Sequence, residues 1–181
     1  MTSKGRRIVF VGGSPSPTSR SRFVATAVAK ELESEGFAAD HFSLHDFDAE
    51  DVFLARTSAS KIVRYLDAVK EASAIVLSTP VYKATYAGAL KAIVDLLPQD
   101  ALVSRPALGI ATTRLEAHGR EVDGAYQSLF AFFRARSRSS LIVLDDELRI
   151  DGTSGTFTQA AEDRVRSAAR SLLGDLHETA V

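Results

Sequence analysis

The stretch that decides the fold lies near the amino terminus and reads Ile8-Val9-Phe10-Val11-Gly12-Gly13-Ser14-Pro15-Ser16-Pro17-Thr18-Ser19-Arg20-Ser21. An apolar run typical of a buried strand gives way to two glycines, then to hydroxyl residues and one arginine, and finally to a helical pattern. This order predicts backbone N–H groups, hydroxyls and a guanidinium gathered at a helix N-terminus, where a phosphate group binds well.

The same loop lacks two other nucleotide-binding motifs. It contains no Gly-x-x-x-x-Gly-Lys-Ser/Thr pattern and no Gly-x-Gly-x-x-Gly pattern, which argues against a nucleoside-triphosphate loop and against a Rossmann-type dinucleotide site. A terminal phosphate monoester, such as that of FMN, remains as the ligand type. An ordinary turn after a strand is the alternative interpretation, because serine and proline are common in turns.

Length and composition predict a single domain with a substantial core. The chain has 181 residues, of which 45% are hydrophobic, so we expect one domain over residues 1–181, with 1–6 and 179–181 flexible. The 22 basic and 23 acidic residues give a formal charge of −1, which does not indicate a nucleic-acid partner. The chain contains no cysteine, which excludes disulfides, thiolate metal sites and cysteine nucleophiles.

The sequence predicts neither a membrane partner nor a metal site. No apolar run approaches the roughly twenty residues that span a bilayer, and Ile8–Val11 is too short for a signal-peptide core. The carboxylates between His45 and Ser60 are not paired with histidine at ligand spacing. We therefore expect a soluble, cytoplasmic protein without a bound metal.

Apolar runs alternate with amphipathic stretches along the chain. The predicted strands are Arg7–Val11, Ala38–Ser43, Ala74–Ser78, Ala107–Thr112 and Leu141–Leu144. The predicted helices are Ser21–Glu35, Ser60–Glu71, Ala87–Leu97, Glu121–Ala135 and Gln159–Glu178. The alternation predicts a flavodoxin-like three-layer sandwich with a five-stranded parallel sheet of order 2-1-3-4-5. Right-handed crossovers then bring loops 12–20, 79–86 and 112–120 to one edge of the sheet, where ligands bind.

The second of these loops carries a family resemblance. It reads Thr79-Pro80-Val81-Tyr82-Lys83-Ala84-Thr85-Tyr86-Ala87-Gly88-Ala89-Leu90-Lys91 and continues to Pro98. Together with Gly13-Ser14-Pro15 and Ser19-Arg20-Ser21, this loop closely resembles the NADPH-dependent FMN reductase family, over roughly residues 7–178. The nearest branch is that of the alkanesulfonate-utilisation FMN reductases.

The resemblance implies an NAD(P)H:FMN oxidoreductase. Hydride would pass from NADPH or NADH to FMN without a catalytic side chain, and reduced FMN would serve a partner monooxygenase. The cofactor-binding residues implied by the resemblance and by the loop chemistry are Ser14, Ser19, Arg20, Ser21, Pro80, Val81, Tyr82, Lys83, Thr112 and Thr113.

The third loop departs from the family pattern. Thr112-Thr113 stands where family members usually carry glycines against the flavin ring, and Gly124 stands where the alkanesulfonate branch often inserts a tyrosine. Two alternatives stay open: a quinone or azo reductase that retains FMN, which slow FMN exchange would favour, and a non-catalytic flavodoxin-like module, which the Thr112-Thr113 departure supports. The histidine of this loop, His118, is interpreted as a surface or interface residue.

An apolar run in the fourth predicted helix has two interpretations. Leu129, Phe130, Phe132 and Phe133 exceed what one face of a sheet needs to bury. They are either core residues or part of a subunit contact, and we predict a homodimer or homotetramer.

Overall fold

The computed structural model describes residues 6–152 and 154–179. In chain order its strands are β1 (Arg7–Gly12), β2 (Ala38–Ser43), β3 (Ala74–Tyr82), β4 (Thr85–Tyr86), β5 (Pro106–Thr113), β6 (Arg136–Ser137), β7 (Leu141–Leu144), β8 (Leu148–Asp151) and β9 (Ser154–Phe157). Its α-helices are α1 (Arg20–Ser34), α2 (Ala49–Phe53), α3 (Ser60–Glu71), α4 (Gly88–Val94), α5 (Glu116–Phe132) and α6 (Gln159–Thr179).

The main sheet confirms the α/β flavodoxin-like class and corrects the number of strands. It has seven strands along the path β2-β1-β3-β5-β6, with β4 beside β3 and β7 beside β5. β6 and β7 share one edge position, since β6 pairs with residues 106–107 of β5 and β7 pairs with residues 110–113. The prediction of five strands in the simple order 2-1-3-4-5 was therefore wrong in detail, because it missed β4, which is antiparallel to β3, and the divided edge.

Two apolar clusters on opposite faces of the sheet produce the three layers. One cluster packs α3, α4 and α5 against one face, and the other packs α1 and α6 against the opposite face. β1 and β3 are apolar almost throughout, with Ile8, Val9 and Val76 completely buried, as expected for parallel strands covered on both sides. The layers leave the carboxyl ends of these strands uncovered.

Several predicted boundaries need correction. β3 continues four residues beyond the predicted Ser78, and α5 starts at Glu116 rather than Glu121. α4 is shorter than the predicted helix over residues 87–97. The β8–β9 hairpin, which forms a separate two-stranded sheet, was not among the predicted elements. The predicted flexible ends, 1–6 and 179–181, lie largely outside the described residues.

Candidate functional site

A cleft of about 800 Å3 opens at the carboxyl ends of β1, β3 and β5. Its lining residues are Ser14, Ser16, Thr18, Ser19, Arg20, Pro80, Val81, Tyr82, Lys83, Thr112, Thr113, Arg114, Leu115, His118 and Asp145. The structure thus brings together every predicted cofactor-binding residue except Ser21. The three loops converge as the parallel topology predicts.

Gly13 lets the first loop approach α4 closely. Its N–H donates to the Ser78 carbonyl at 2.8 Å, which continues the sheet contact beyond β1. A Cβ at this position would lie 2.3 Å from the Leu90 Cβ, so a larger residue would displace the loop. The Ser14 hydroxyl then accepts a hydrogen bond from the Ser16 N–H at 3.1 Å, and this bond shapes the turn that follows.

Ser19 fixes the start of α1. It occupies the N-cap position, and its hydroxyl accepts the Arg22 N–H at 3.3 Å. The cap uses one of the four free N–H groups of the helix end, so the others remain for an anion. Arg20, the first residue of α1, places its guanidinium at the same end and lines the cleft. The helix end therefore presents donors and positive charge together.

Ser21 lies on the other side of the first loop. Its hydroxyl is 3.3 Å from the Ser19 hydroxyl, and the residue lines a second cavity of about 270 Å3. His41 lines this cavity too, stacks on Phe10 at 4.9 Å between ring centroids, and has a pKa lowered by burial. Ser21 is therefore absent from the lining of the main cleft, although the second cavity shares Ser14, Ser16 and Ser19 with that cleft.

The second loop is a hairpin held at its base by Thr79. The Thr79 hydroxyl accepts the Ala87 N–H at 2.9 Å and donates to the Pro80 carbonyl at 2.8 Å. Thr79 is completely buried. Since the hydroxyl joins both ends of the segment, Thr79 stabilises the conformation in which the loop meets the cleft.

The tip of the hairpin has an unusual backbone. Val81 pairs with Tyr86 and Tyr82 with Thr85, so Lys83 and Ala84 form a two-residue turn. Both turn residues have positive φ, 53° and 64°, as a type I′ turn requires. Non-glycine residues adopt this conformation at some energetic cost. The turn projects Tyr82, which is 49% exposed, and Lys83 at the rim of the cleft.

The two threonines of the third loop have different hydrogen-bond environments. Thr112 pairs in register with Pro80, which places the ends of β5 and β3 side by side. The Thr113 hydroxyl exchanges hydrogen bonds with the N–H and carbonyl of Leu115, both at 3.3 Å, just before α5. Among the described residues the Thr112 hydroxyl has no hydrogen-bond partner, so it remains available to a ligand in the cleft.

Asp145 is a cleft residue that the sequence analysis missed. It follows β7, and its carboxylate lies 3.9 Å from Arg20 Nε and 3.6 Å from Arg114 Nε. With Lys83, the cleft holds three basic side chains and one carboxylate, which gives it a positive balance. The signal was present in the sequence, because Asp145 directly follows the last predicted strand at the same sheet edge.

Tyr126 is structural and lies away from the cleft. Its buried hydroxyl is 3.1 Å from the carbonyls of Leu77 and Ile110, and burial raises its pKa well above the usual value. The ring packs where a Cβ on Gly109 would come within 2.5 Å of it. α5 is regular from Glu116 to Phe132, so Tyr126 does not stand in for an inserted tyrosine at a helix defect.

The apolar run of α5 is mostly core. Phe130 and Phe133 are buried and Leu129 packs against the same cluster, whereas Phe132 is 61% exposed.

His118 lies in the first turn of α5 and lines the cleft, rather than standing on a loop. Within the part of the chain that the structure describes, no group of side chains could hold a metal ion. None of the described helices is long and apolar enough to cross a membrane.

The lining of the cleft combines hydrogen-bond donors and positive charge with an apolar and aromatic hairpin surface. Hydroxyls, helix N–H groups and Arg20 lie at one end, and the hairpin with Val81 and Tyr82 lies at the other. Its volume is in the range of sites for cofactor-sized ligands.

Comparison with known proteins shows the family to which the chain belongs. The chain is 34% identical over 165 residues to an FMN reductase (NADPH) of Pseudomonas putida, which covers 89% of this chain and 83% of the relative. A crystal structure of an NADH:FMN oxidoreductase in its apo form superposes with a TM-score of 0.81 at 26% identity, over 92% of this chain and 87% of the other. A flavodoxin from the Archaea shares the fold, with a TM-score of 0.64 at 11% identity over 94% of this chain and 99% of the other. The family model described as NADPH-dependent FMN reductase matches residues 6–168, and the chain belongs to that family.

Proposed function

We propose that this chain is an NAD(P)H-dependent FMN reductase whose cleft holds FMN by its phosphate at the α1 N-terminus and by its ring against the β3–β4 hairpin. The observation that carries the proposal is the single cleft that joins these two surfaces. When bound, FMN supplies the hydride acceptor, and the nicotinamide nucleotide supplies the hydride.

The phosphate end of the cleft works by charge and by hydrogen bonds. The free N–H groups of the first turn of α1, the hydroxyls of Ser14 and Ser19, and the Arg20 guanidinium all lie at this end. Hydrogen bonds to a phosphate dianion are charge-assisted and are therefore stronger than neutral ones. These groups are preformed, since Ser19 already caps the helix and Gly13 already packs against Leu90.

The ring end works by shape and orientation. The hairpin is held at its base by Thr79, and its register with β5 sets Pro80 beside Thr112. This fixed surface orients a flat ring and shields it from water on one side, which favours transfer between two stacked rings. At the position where family members usually carry a glycine against the flavin ring, Thr112 offers a hydroxyl instead of a backbone contact. We propose that Tyr82 stacks at the rim and that Lys83 meets negative charge there.

We extend the proposal to the fate of the product. Reduced FMN leaves the cleft and serves a flavin-dependent monooxygenase. At the phosphate end of the cleft Ser14 and Ser19 are buried, but Arg20 is exposed, so solvent reaches the charged group that would hold the phosphate. A homodimer or homotetramer and a cytoplasmic location stay predictions.

The test follows NADPH and NADH oxidation by the purified protein with and without added FMN. Oxidation that rises with added FMN supports the reductase, and absence of any flavin-dependent oxidation contradicts it. If FMN stays with the protein through gel filtration and oxidation depends on an added quinone instead, the retained-flavin reductase is the better account.

A pair of arginine variants locates the phosphate. Arg20→Gln removes the charge that lines the cleft, and we expect it to weaken FMN binding by about tenfold or more, since hydrogen bonds to charged groups are worth about 1.5–3 kcal/mol. Arg22→Gln is the matched control, because Arg22 lines the second cavity and contacts the Pro17 carbonyl. Equal effects of both substitutions would contradict the assignment.

A further inference from the structure

Asp145 places a negative charge beside the groups that receive a phosphate. Its carboxylate oxygens lie 3.9 Å from Arg20 Nε and 3.6 Å from Arg114 Nε. The two arginines come from different loops, Arg20 from the start of α1 and Arg114 from the segment between β5 and α5. One carboxylate therefore links two of the three basic side chains of the cleft.

The contacts of this carboxylate differ from those of its neighbour Glu147. The structure describes ion pairs for Asp145 but no side-chain hydrogen bond. In the same turn, Glu147 accepts hydrogen bonds from the Leu144 N–H at 2.8 Å and from Arg164. Glu147 therefore makes the side-chain hydrogen bonds described for the turn after β7, whereas the contacts described for the Asp145 side chain are ion pairs.

A phosphate dianion and Asp145 compete for the same guanidinium. A ligand phosphate that binds Arg20 must share it with the carboxylate or displace it, and the two anions repel each other at short range. Removing the carboxylate charge would leave Arg20 and Arg114 unopposed and would make the cleft more positive. The side chain of Asp145 is 29% exposed, so water and salt screen this effect only partly.

We propose that Asp145 is a positioning residue that holds Arg20 and Arg114 and lowers the affinity of the cleft for a phosphate monoester dianion, so that the bound nucleotide exchanges rapidly. The inference rests on the proposed function. It gives a physical reason for a reductase to release its flavin instead of retaining it. The phosphate belongs to FMN or to the ribose of NADPH, and the ligand pairs used in the test distinguish these sources.

The test compares Asp145→Asn with Asp146→Asn. Both substitutions remove one negative charge and keep the side-chain size, but Asp146 does not line the cleft. Dissociation constants for FMN and for riboflavin, which lacks the phosphate, are measured by fluorescence quenching at low and high salt. KM values for NADPH and NADH, which differ by one phosphate, are measured with the same proteins.

We expect Asp145→Asn to tighten FMN binding by about three- to tenfold at low salt, and by less at high salt. Riboflavin binding should stay within about twofold of the original, as should FMN binding by Asp146→Asn. A lowered KM for NADPH but not for NADH, with unchanged FMN binding, would support the inference and assign the phosphate to the nicotinamide nucleotide.

Several results would overturn the inference. Weaker or unchanged binding of both FMN and NADPH in Asp145→Asn would do so, as would equal tightening of FMN and riboflavin or an equal effect of Asp146→Asn. If the unsubstituted protein oxidises NADPH in an FMN-dependent way, these outcomes refute the role of Asp145 alone. If it neither binds FMN nor oxidises NADPH, the proposed function fails as well.

Discussion

The two ends of the cleft are built on opposite principles. At the phosphate end, hydroxyls of the loop after β1 line the cleft together with Arg20 and the N-terminus of α1. At the ring end, the β3–β4 hairpin satisfies its own backbone through strand pairing and through Thr79. Under the proposed function, we therefore expect ligand binding at the first region to depend on charge and on salt concentration, and ligand binding at the second region to depend on the rigidity of the hairpin. A ligand that has both a phosphate and a flat ring uses both.

The largest effect is expected from a substitution of Gly13, in the loop at the phosphate end of the cleft. Gly13→Ala would place a Cβ 2.3 Å from the Leu90 Cβ, so the loop or α4 must move. Overpacking of this kind costs about 1–3 kcal/mol, and displacement of the loop should also abolish tight FMN binding. Thermal or urea unfolding and FMN quenching measure the two effects.

Gly12→Ala provides the control for this substitution. A Cβ on Gly12 would meet its nearest neighbour, the Phe42 carbonyl oxygen, at 3.7 Å, which is an ordinary contact. We expect Gly12→Ala to fold with near-normal stability. Equal destabilisation by the two substitutions would show that packing against Leu90 does not explain the glycine at position 13.

The second prediction concerns the hydrogen bond that holds the hairpin at the ring end of the cleft. Thr79→Val keeps the side-chain shape but leaves the buried Ala87 N–H without its acceptor, at a cost of about 1–3 kcal/mol. The hairpin should loosen, so binding of riboflavin and of FMN should weaken by the same factor. Thr85→Val is the control, because the structure describes no side-chain hydrogen bond for Thr85. A loss confined to FMN would contradict a role for Thr79 in shape.

The third prediction compares the two threonines at the end of β5, Thr112 and Thr113. Thr113→Val removes the hydrogen bonds to Leu115 and should lower the free energy of unfolding by about 0.5–1.5 kcal/mol. Thr112→Val removes a hydroxyl without a protein partner, so it should leave stability unchanged and weaken flavin binding. Unfolding curves and FMN titrations of both variants check this. The reverse pattern would mean that the two threonines have been assigned the wrong roles.

The smallest expected effect is on the stability of the protein and involves Glu147, a carboxylate outside the cleft. Burial raises the pKa of Glu147, but the hydrogen bonds from Arg164 and from the Leu144 N–H outweigh burial and lower it below its usual 4.5. The unfolded chain therefore binds the proton more readily, and Glu147 contributes stability above pH 4.5 that is lost as the pH falls through its folded-state pKa.

Glu147→Gln tests this pH dependence. We expect the substitution to lower stability at pH 7 by less than about 1 kcal/mol, since the ion pair is partly exposed. The difference from the original protein should shrink as the pH falls below 4.5. Unfolding curves at a series of pH values measure it, and a difference that grows toward acid would have the wrong sign.

The sequence predicted the layers and the position of the cleft well. Continuous apolar strands and right-handed crossovers suffice to place the ends of β1, β3 and β5 at one edge. The cap at Ser19 and the charge at Arg20 were also readable, because both belong to a local pattern at a helix start. Nine of the ten predicted binding residues line one cleft for the same reason.

The features that the sequence did not show depend on tertiary context. The β3–β4 turn uses Lys83 and Ala84 at positive φ, where the usual signal would be Asn-Gly or Asp-Gly. α5 starts after Leu115, which has no capping side chain, so its first turn looked like a loop. Ser21 followed the same local pattern as Ser19 but faces the other side of the loop, which only the helix position reveals.

The proposed function depends above all on recognition of FMN through its phosphate. The most direct measurement compares the dissociation constants of FMN and riboflavin for the unsubstituted protein at low and high salt. We expect FMN to bind at least about tenfold more tightly than riboflavin, and we expect added salt to reduce this difference in affinity. Equal affinities at every salt concentration, or no binding of FMN, would contradict it.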